Sequence, residues 1–156
     1  MNHELFNTKR LSVRHLSMND LEEFQDMQSD SEVMKYVGSN PMSAERCKEN
    51  LKEVIDHYSN PESKFHVWAV CLNNEMIGTC AIIQNEKGNE LGYRFRQKYW
   101  RQGYGNETTA GLLSYAFNNL NLKDVWAEAD VENTGSVKLL DKYLNRIEKK
   151  WNEEDN

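Results

Sequence analysis

The chain has 156 residues, 38% of them apolar and 10% aromatic, with 25 acidic against 19 basic side chains and a net charge of −6. That length supports one domain with its own core, and no apolar run approaches the roughly 18 residues that a transmembrane helix needs. The negative balance weighs against non-specific nucleic-acid binding, and MNHELFNTKRL carries no hydrophobic leader, so neither a nucleic-acid nor a membrane partner is expected and a cytoplasmic address is the default.

Arg10–Leu16 alternates apolar and polar residues and predicts a strand. Ser17 or Asn19 can cap a helix over Leu21–Gln28, with Leu21 and Phe24 on one face. Ser43 opens a longer helix, whose Leu51, Val54, Ile55 and Tyr58 recur at the spacing of an apolar stripe. After Pro61 the period drops to two. Phe65–Leu72, Met76–Gln84 and Glu90–Arg96 predict three strands of an antiparallel meander, joined by turns at Asn73-Asn74-Glu75 and Glu86-Lys87-Gly88-Asn89. A helix should start near Gly105 and run to about Asn118, followed by a strand over Lys123–Val131. Asn133 can cap a short helix through Leu144, and Arg146–Trp151 can form a last strand. The crossover from Glu90 to Val131 sets those two strands parallel and adjacent. The fold class is therefore α/β (α+β), a mixed and mostly antiparallel central sheet with helices on both faces.

Cys47, Cys71 and Cys80 are an odd set. Pairing about the turn sets Cys71 near Ile77 and Cys80 near Trp68, so the two do not face each other and buried free thiols are expected. The four histidines have no metal-ligand spacing, and no metal is expected.

The stretch LGYRFRQKYWRQGYGNETT stands apart. Between Glu90 and Glu107 there is no acid, but Arg94, Arg96, Lys98 and Arg101 fall there, and Gly103 and Gly105 follow. A helix starting after glycines offers unpaired N–H groups and the positive end of its dipole, a receptor for phosphate or pyrophosphate. No lysine and serine follow as in the nucleoside-triphosphate loop, and Thr108 stands where the dinucleotide fingerprint has its third glycine. A solvated basic face is the competing explanation.

ELGYRFRQKYWRQGYGNE, together with TKRLSVRHLSMNDLEEFQDMQSDSEVMKYVG before it and ADVENTGSVKLLDKYL after it, resembles the GNAT superfamily of N-acetyltransferases, in particular the branch of ribosomal-protein N-terminal alanine/serine acetyltransferases. The resemblance implies the acyl-CoA acyltransferase fold and acetyl-CoA as cosubstrate. It places the backbone of Arg101, Gln102, Gly103, Tyr104, Gly105 and Asn106 on the pyrophosphate and pairs Tyr93, Arg94 and Phe95 with the pantetheine arm. Asn133 and Ser136 match the family's Asn-x-x-Ser/Ala and would lie near the pantetheine and thiol. Trp100 departs from the superfamily's Gln/Arg but is familiar in this branch. Met34, Tyr36 and Val37 fall in a segment that lines the acceptor site in relatives, although helix packing explains them equally.

Acetyl transfer needs a neutral amine, a polarised carbonyl and a proton for the leaving thiolate. Backbone N–H groups around Arg94–Phe95 suit the second task, with Gly92 as a candidate bulge. Strand alternation sets Glu90, Gly92 and Arg94 on one face and Leu91, Tyr93 and Phe95 on the other. Glu90 is the first candidate base and Glu128 the second. Leu140 occupies the position of the family's tyrosine acid, which leaves Ser136 as the candidate acid. The expected function is acetyl transfer to a primary amine, an N-terminal peptide, a polyamine or another small amine, by direct attack. The alternatives are a non-catalytic module that senses CoA or acyl-CoA and a nucleotide-binding protein. The family's usual Lys-x-Gly-Phe and two further strands are not matched after Lys142. A final strand is therefore expected to be absent or supplied from elsewhere, for which a homodimer is one arrangement.

Overall fold

A computed structural model describes residues 4–128 and residue 138. Five strands form one antiparallel sheet in the order β1-β2-β3-β4-β5, comprising β1 (Glu4–Asn7), β2 (Ser12–Arg14), β3 (Phe65–Leu72), β4 (Glu75–Asn85) and β5 (Gly88–Phe95). Helices α1 (Leu21–Gln28), α2 (Ser31–Lys35) and α3 (Ala44–His57) lie between β2 and β3, and α4 (Tyr104–Asn118) follows β5.

Local chemistry sets most boundaries. The Ser17 side chain and the Asp20 carboxylate form a reciprocal capping box ahead of α1. Asp20 also takes a bidentate pair of hydrogen bonds from the Arg14 guanidinium at 2.9 and 2.8 Å, and both side chains are buried. Ser43 caps α3 through the Arg46 N–H. In α3 the Tyr58 end of the apolar stripe is more than packing. Its hydroxyl accepts from the Leu16 N–H at 3.0 Å and donates to the Val67 carbonyl, tying the helix to β3 and to the exit of β2.

The two sheet faces carry separate cores. On one, Phe24, Met27, Val33, Cys47, Leu51 and Val54 from α1–α3 cover Ala69, Cys71 and Met76. On the other, Leu112 and Ala116 of α4 cover Val13, Trp68, Val70, Ile77, Leu91 and Phe95. The period-two reading of β5 follows directly: Leu91 and Phe95 enter the α4 core, and Arg94 emerges on the opposite face beside Gln28 and Met34.

Four expectations change. Residues 10–16 are a strand only over Ser12–Arg14, and β1, with its short apolar pair Leu5-Phe6, was not expected from the pattern. The helix after the glycines begins at Tyr104 rather than Gly105. The β3–β4 turn is a two-residue loop with Asn73 and Asn74 both in the left-handed region, at φ 51° and 69°, as tight hairpins demand. Leu72 therefore pairs with Glu75 and Cys71 with Met76, until a shift after Cys71 restores Trp68 opposite Cys80. Finally, the β4–β5 register runs without a break from Gly78↔Phe95 to Asn85↔Gly88, so Gly92 makes no bulge in that ladder. All three cysteines are free and buried.

Beyond α4, Trp126 makes a parallel bridge to Glu90, where a crossover strand was expected. Of the strand expected over Lys123–Val131, residues 123–128 are described and make only this single bridge, while 129–131, the helix capped by Asn133 apart from residue 138, and the strand over Arg146–Trp151 lie outside the described residues, as do Asn133, Ser136 and Leu140.

Candidate active site

β5 ends at Phe95, and a short 3-10 turn over Gln97–Tyr99 carries the chain to the loop that opens α4. The Trp100 indole N–H donates to the Phe95 carbonyl at 2.9 Å and its ring packs against both cores, so the start of the loop is pinned to the sheet. Arg101 and Gly103 then adopt left-handed conformations, at φ 62° and 84°. Gly103 is the residue from which α4 springs, and the first helical bond runs from the Glu107 N–H to the Gly103 carbonyl at 3.1 Å. The N–H groups of Tyr104 and Gly105 precede that bond and have no acceptor within the helix.

An unanticipated residue braces this loop. Arg10, in the β1–β2 connection, donates from Nη1 to the Gln102 carbonyl at 3.0 Å and from Nε to Glu107 at 2.7 Å. Its backbone N–H also donates to Glu107 at 2.7 Å, and its guanidinium lies 4.4 Å from the centre of the Tyr104 ring. The Thr8 hydroxyl adds another bond to Glu107. Burial alone would raise the Glu107 pKa, but the bonds from Thr8 and Arg10 outweigh it and hold the carboxyl below its ordinary value. Glu107 is thus an ionised, neutralised anchor, and the Gln102 carbonyl is held away by Arg10. Asn7, Thr8, Lys9, Arg10, Gly103 and Asn106 border a groove of about 620 Å³ beside the loop.

The two glycines differ in role. A Cβ on Gly103 would meet Arg10 Nη2 at 3.2 Å and would have to sit at φ 84°, whereas a Cβ on Gly105 would meet the Tyr93 and Phe95 rings at ordinary distances of 3.6 and 3.9 Å. Gly103 is required by the turn, and Gly105 faces the strand.

The basic window also divides. Arg96 is buried and donates to Asp26 at 2.9 Å and to the Met76 carbonyl at 2.9 Å, with Glu75 at 3.8 Å. That cation is answered from within the chain, because α1 and β4 bring acids that are remote in sequence. Lys98 lies over the Tyr99 ring, while Arg101 is exposed at the loop.

On the other edge of β5, the Leu91 N–H donates to the Trp126 carbonyl at 2.8 Å and the Trp126 N–H to the Asn89 carbonyl at 2.9 Å, while the Arg96 N–H turns the other way, to Ile77. Strand alternation therefore aims the N–H groups of Tyr93 and Phe95 away from β4, and that of Arg94 toward it. The donor suited to a ligand on this edge is Phe95, not Arg94.

Glu90 stands where β5 meets Trp126. The Asn85 amide donates to it at 3.2 Å. Burial first, and the Glu128 carboxylate second, raise its pKa above the ordinary value. Glu128 itself is exposed and paired with Lys87 at 3.4 Å. The cysteines are poor nucleophiles: burial raises all three thiols, Cys71 to about 11. Among the described residues no cluster of His, Cys, Asp or Glu is placed to hold a metal ion, and no helix is long and apolar enough to cross a membrane.

The sequence and the fold match known proteins along most of the chain. A curated relative from Bacillus licheniformis, the uncharacterized N-acetyltransferase p20, is 32% identical over 142 residues, covering 88% of this chain and 79% of its own. The crystal structure of a GNAT-family acetyltransferase from Bacillus anthracis aligns with a TM-score of 0.75 at 27% identity, over 91% of this chain and 81% of that one. The RimL ribosomal alpha-N-protein acetyltransferase in complex with coenzyme A shares the fold at a TM-score of 0.75 and 12% identity, over 90% and 82% of the two chains. The family model for the acetyltransferase (GNAT) domain matches residues 10–143, and the chain belongs to that family.

Proposed function

We propose that the protein moves an acetyl group from acetyl-CoA to a primary amine, either a protein N-terminus or a small amine, by direct attack. The observation that carries this reading is the loop of Arg101–Gly103. Two left-handed residues turn the chain so that the first N–H groups of α4 emerge beside the edge of β5 that faces away from β4, and Arg10 withdraws the Gln102 carbonyl that would repel an anion. A diphosphate held there is stabilised by amides and the helix dipole. The groove bordered by Lys9 and Arg10 offers room for the nucleotide end of the same molecule. From the loop, β5 leads back toward Glu90, and the Phe95 N–H on the edge away from β4 can pair with an extended arm and polarise a carbonyl on it.

Acetyl-CoA supplies the activated acyl group. Glu90, on the face opposite the α4 core, takes a proton from the incoming ammonium, directly or through water, and its raised pKa suits it to that exchange nearer neutrality. The leaving thiolate would take its proton from Ser136, a role that rests on the family motif. The RimL relative solved with coenzyme A supports the choice of carrier. Buried thiols with raised pKa support direct attack over an acyl-cysteine route.

Calorimetric titration with CoA, paired with thiol release on a panel of amines, tests the proposal. Binding with turnover on at least one amine is expected. Binding with no turnover on any amine would favour a sensing module, and no binding to folded protein would remove the basis of the reading.

A further inference from the structure

Arg14 and Arg96 are buried and Arg94 is half-buried, and the three are not equivalent. Arg14 is paired with Asp20, and Arg96 with Asp26 and Glu75. Arg94 has no carboxylate partner among the described residues. Its Nη1 donates to Gln28 Oε1 and to Met34 Sδ at 3.7 Å, and its Nε is buried with no partner among the described residues. Burial pulls its pKa below the ordinary value.

The neutral partners are themselves fixed. The Gln28 amide nitrogen donates to Asn50 Oδ1 at 3.1 Å, so the oxygen is the end left to face Arg94. The guanidinium is thereby oriented without being neutralised, and the side that holds Nε and Nη2 is the one that fits a carboxylate through two parallel bonds. Met34 beside it is unbranched and adaptable, the kind of neighbour that can yield to a ligand.

Open space lies along the same face at Gly92, two residues before Arg94, where a Cβ would meet nothing within 4 Å among the described residues. One step further back along that face stands Glu90, with Glu128 near enough to raise its pKa. The face is therefore polarised: acidic at the Glu90 end, open at Gly92, cationic at Arg94. The Cα atoms of Glu90 and Arg94 stand roughly 13 Å apart at the usual strand rise, and the side chains fill part of that span. The gap left suits one small molecule with opposite charges at its ends.

We infer that the acceptor is an amine that also carries a carboxylate, which binds the Nε edge of Arg94 while the amine lies toward Glu90. This deepens the acetyltransferase reading and rests on it. Complementary charge at both ends fixes the direction of the acceptor, and a polyamine, cationic throughout, meets Arg94 with repulsion.

The test compares matched acceptors by thiol release. Alanine against alaninamide probes a free α-carboxylate, and the dipeptide amides Glu-Ala and Gln-Ala probe a side-chain carboxylate at a peptide N-terminus. In the unaltered protein at least one acid should exceed its amide by about tenfold or more in kcat/KM, and Arg94→Gln should bring the ratio close to one. Gln28→Glu, similar in shape, puts an anion of the protein's own on Nη1 and should also erase the preference, with thermal melts reporting the fold of each variant. Equal or better turnover of the amides, or a preference that survives both substitutions, overturns the inference. Should no amine be turned over, the acetyltransferase reading fails separately, and calorimetry with N-acetylglutamate still decides the anion site. Heat in the unaltered protein that both variants lack upholds it, and no heat in the unaltered protein overturns it.

Discussion

Replacing Gly103 by alanine should damage cofactor binding more than its single methyl suggests. Gly103 holds φ at 84° where α4 begins. An L-residue in that region costs about 1–2 kcal/mol. The new Cβ would also meet Arg10 Nη2 at 3.2 Å, and Arg10 is not free to retreat, since it already holds the Gln102 carbonyl and Glu107. The strain falls on the atoms that aim the loop amides. For a chain of this size the stability loss corresponds to about 2–8 °C in Tm. Misaligning one charge-assisted amide bond to a phosphate costs about 1.5–3 kcal/mol, or about 10- to 150-fold in Kd. Gly105→Ala is the internal control, because its Cβ would enter ordinary contact with Tyr93 and Phe95 and its φ is not left-handed. Differential scanning fluorimetry and CoA calorimetry on both variants provide the measurement. If Gly103→Ala binds CoA as the parent does, or if Gly105→Ala is the more damaging of the two, the reasoning about the left-handed turn is wrong.

The other predictions concern the base, the open face and the core. Glu90→Gln should lower kcat/KM by about 10²- to 10⁴-fold. A base works ionised, and burial with Glu128 raises the Glu90 pKa, so the acid limb of the parent's pH–rate profile should lie above the ordinary glutamate value. Glu128→Gln removes one raising influence and should move that limb to lower pH; an unmoved limb would assign it to another group. Gly92→Leu puts a side chain into open space on the acceptor face and should raise the acceptor KM with little change in Tm, whereas equal acceptor kinetics would place the acceptor elsewhere. Asp20→Ala leaves the buried Arg14 guanidinium without its carboxylate and opens the capping box of the α1 entry, and should cost about 3–5 kcal/mol in urea unfolding. A loss below 1 kcal/mol would mean that solvent reaches the pair.

The parts legible in the sequence were those governed by local rules. Three meander strands, the helix capped by Ser43 and the helix after the glycines all announced themselves through period and capping. The parallel contact of Trp126 with Glu90 followed from the crossover rule. What escaped was non-local. Nothing near Arg10 in the chain hints that it braces a loop some ninety residues away. Arg96 looked like one of four cations awaiting an outside anion until folding brought Asp26 against it. Arg94 looked the same, and only the tertiary contacts separate the satisfied cation from the unsatisfied one. The choice of Phe95 over Arg94 as the edge donor depends on which way the ladder faces, a property of pairing rather than of composition.

The bracing of the helix start by the β1–β2 connection has a consequence for biosynthesis. Residues made first wait for residues made nearly a hundred positions later before the anion loop acquires its shape. Such a long closure is slow to find, so affinity for the carrier should arise in one late step once α4 has left the ribosome, with shorter nascent chains blind to it.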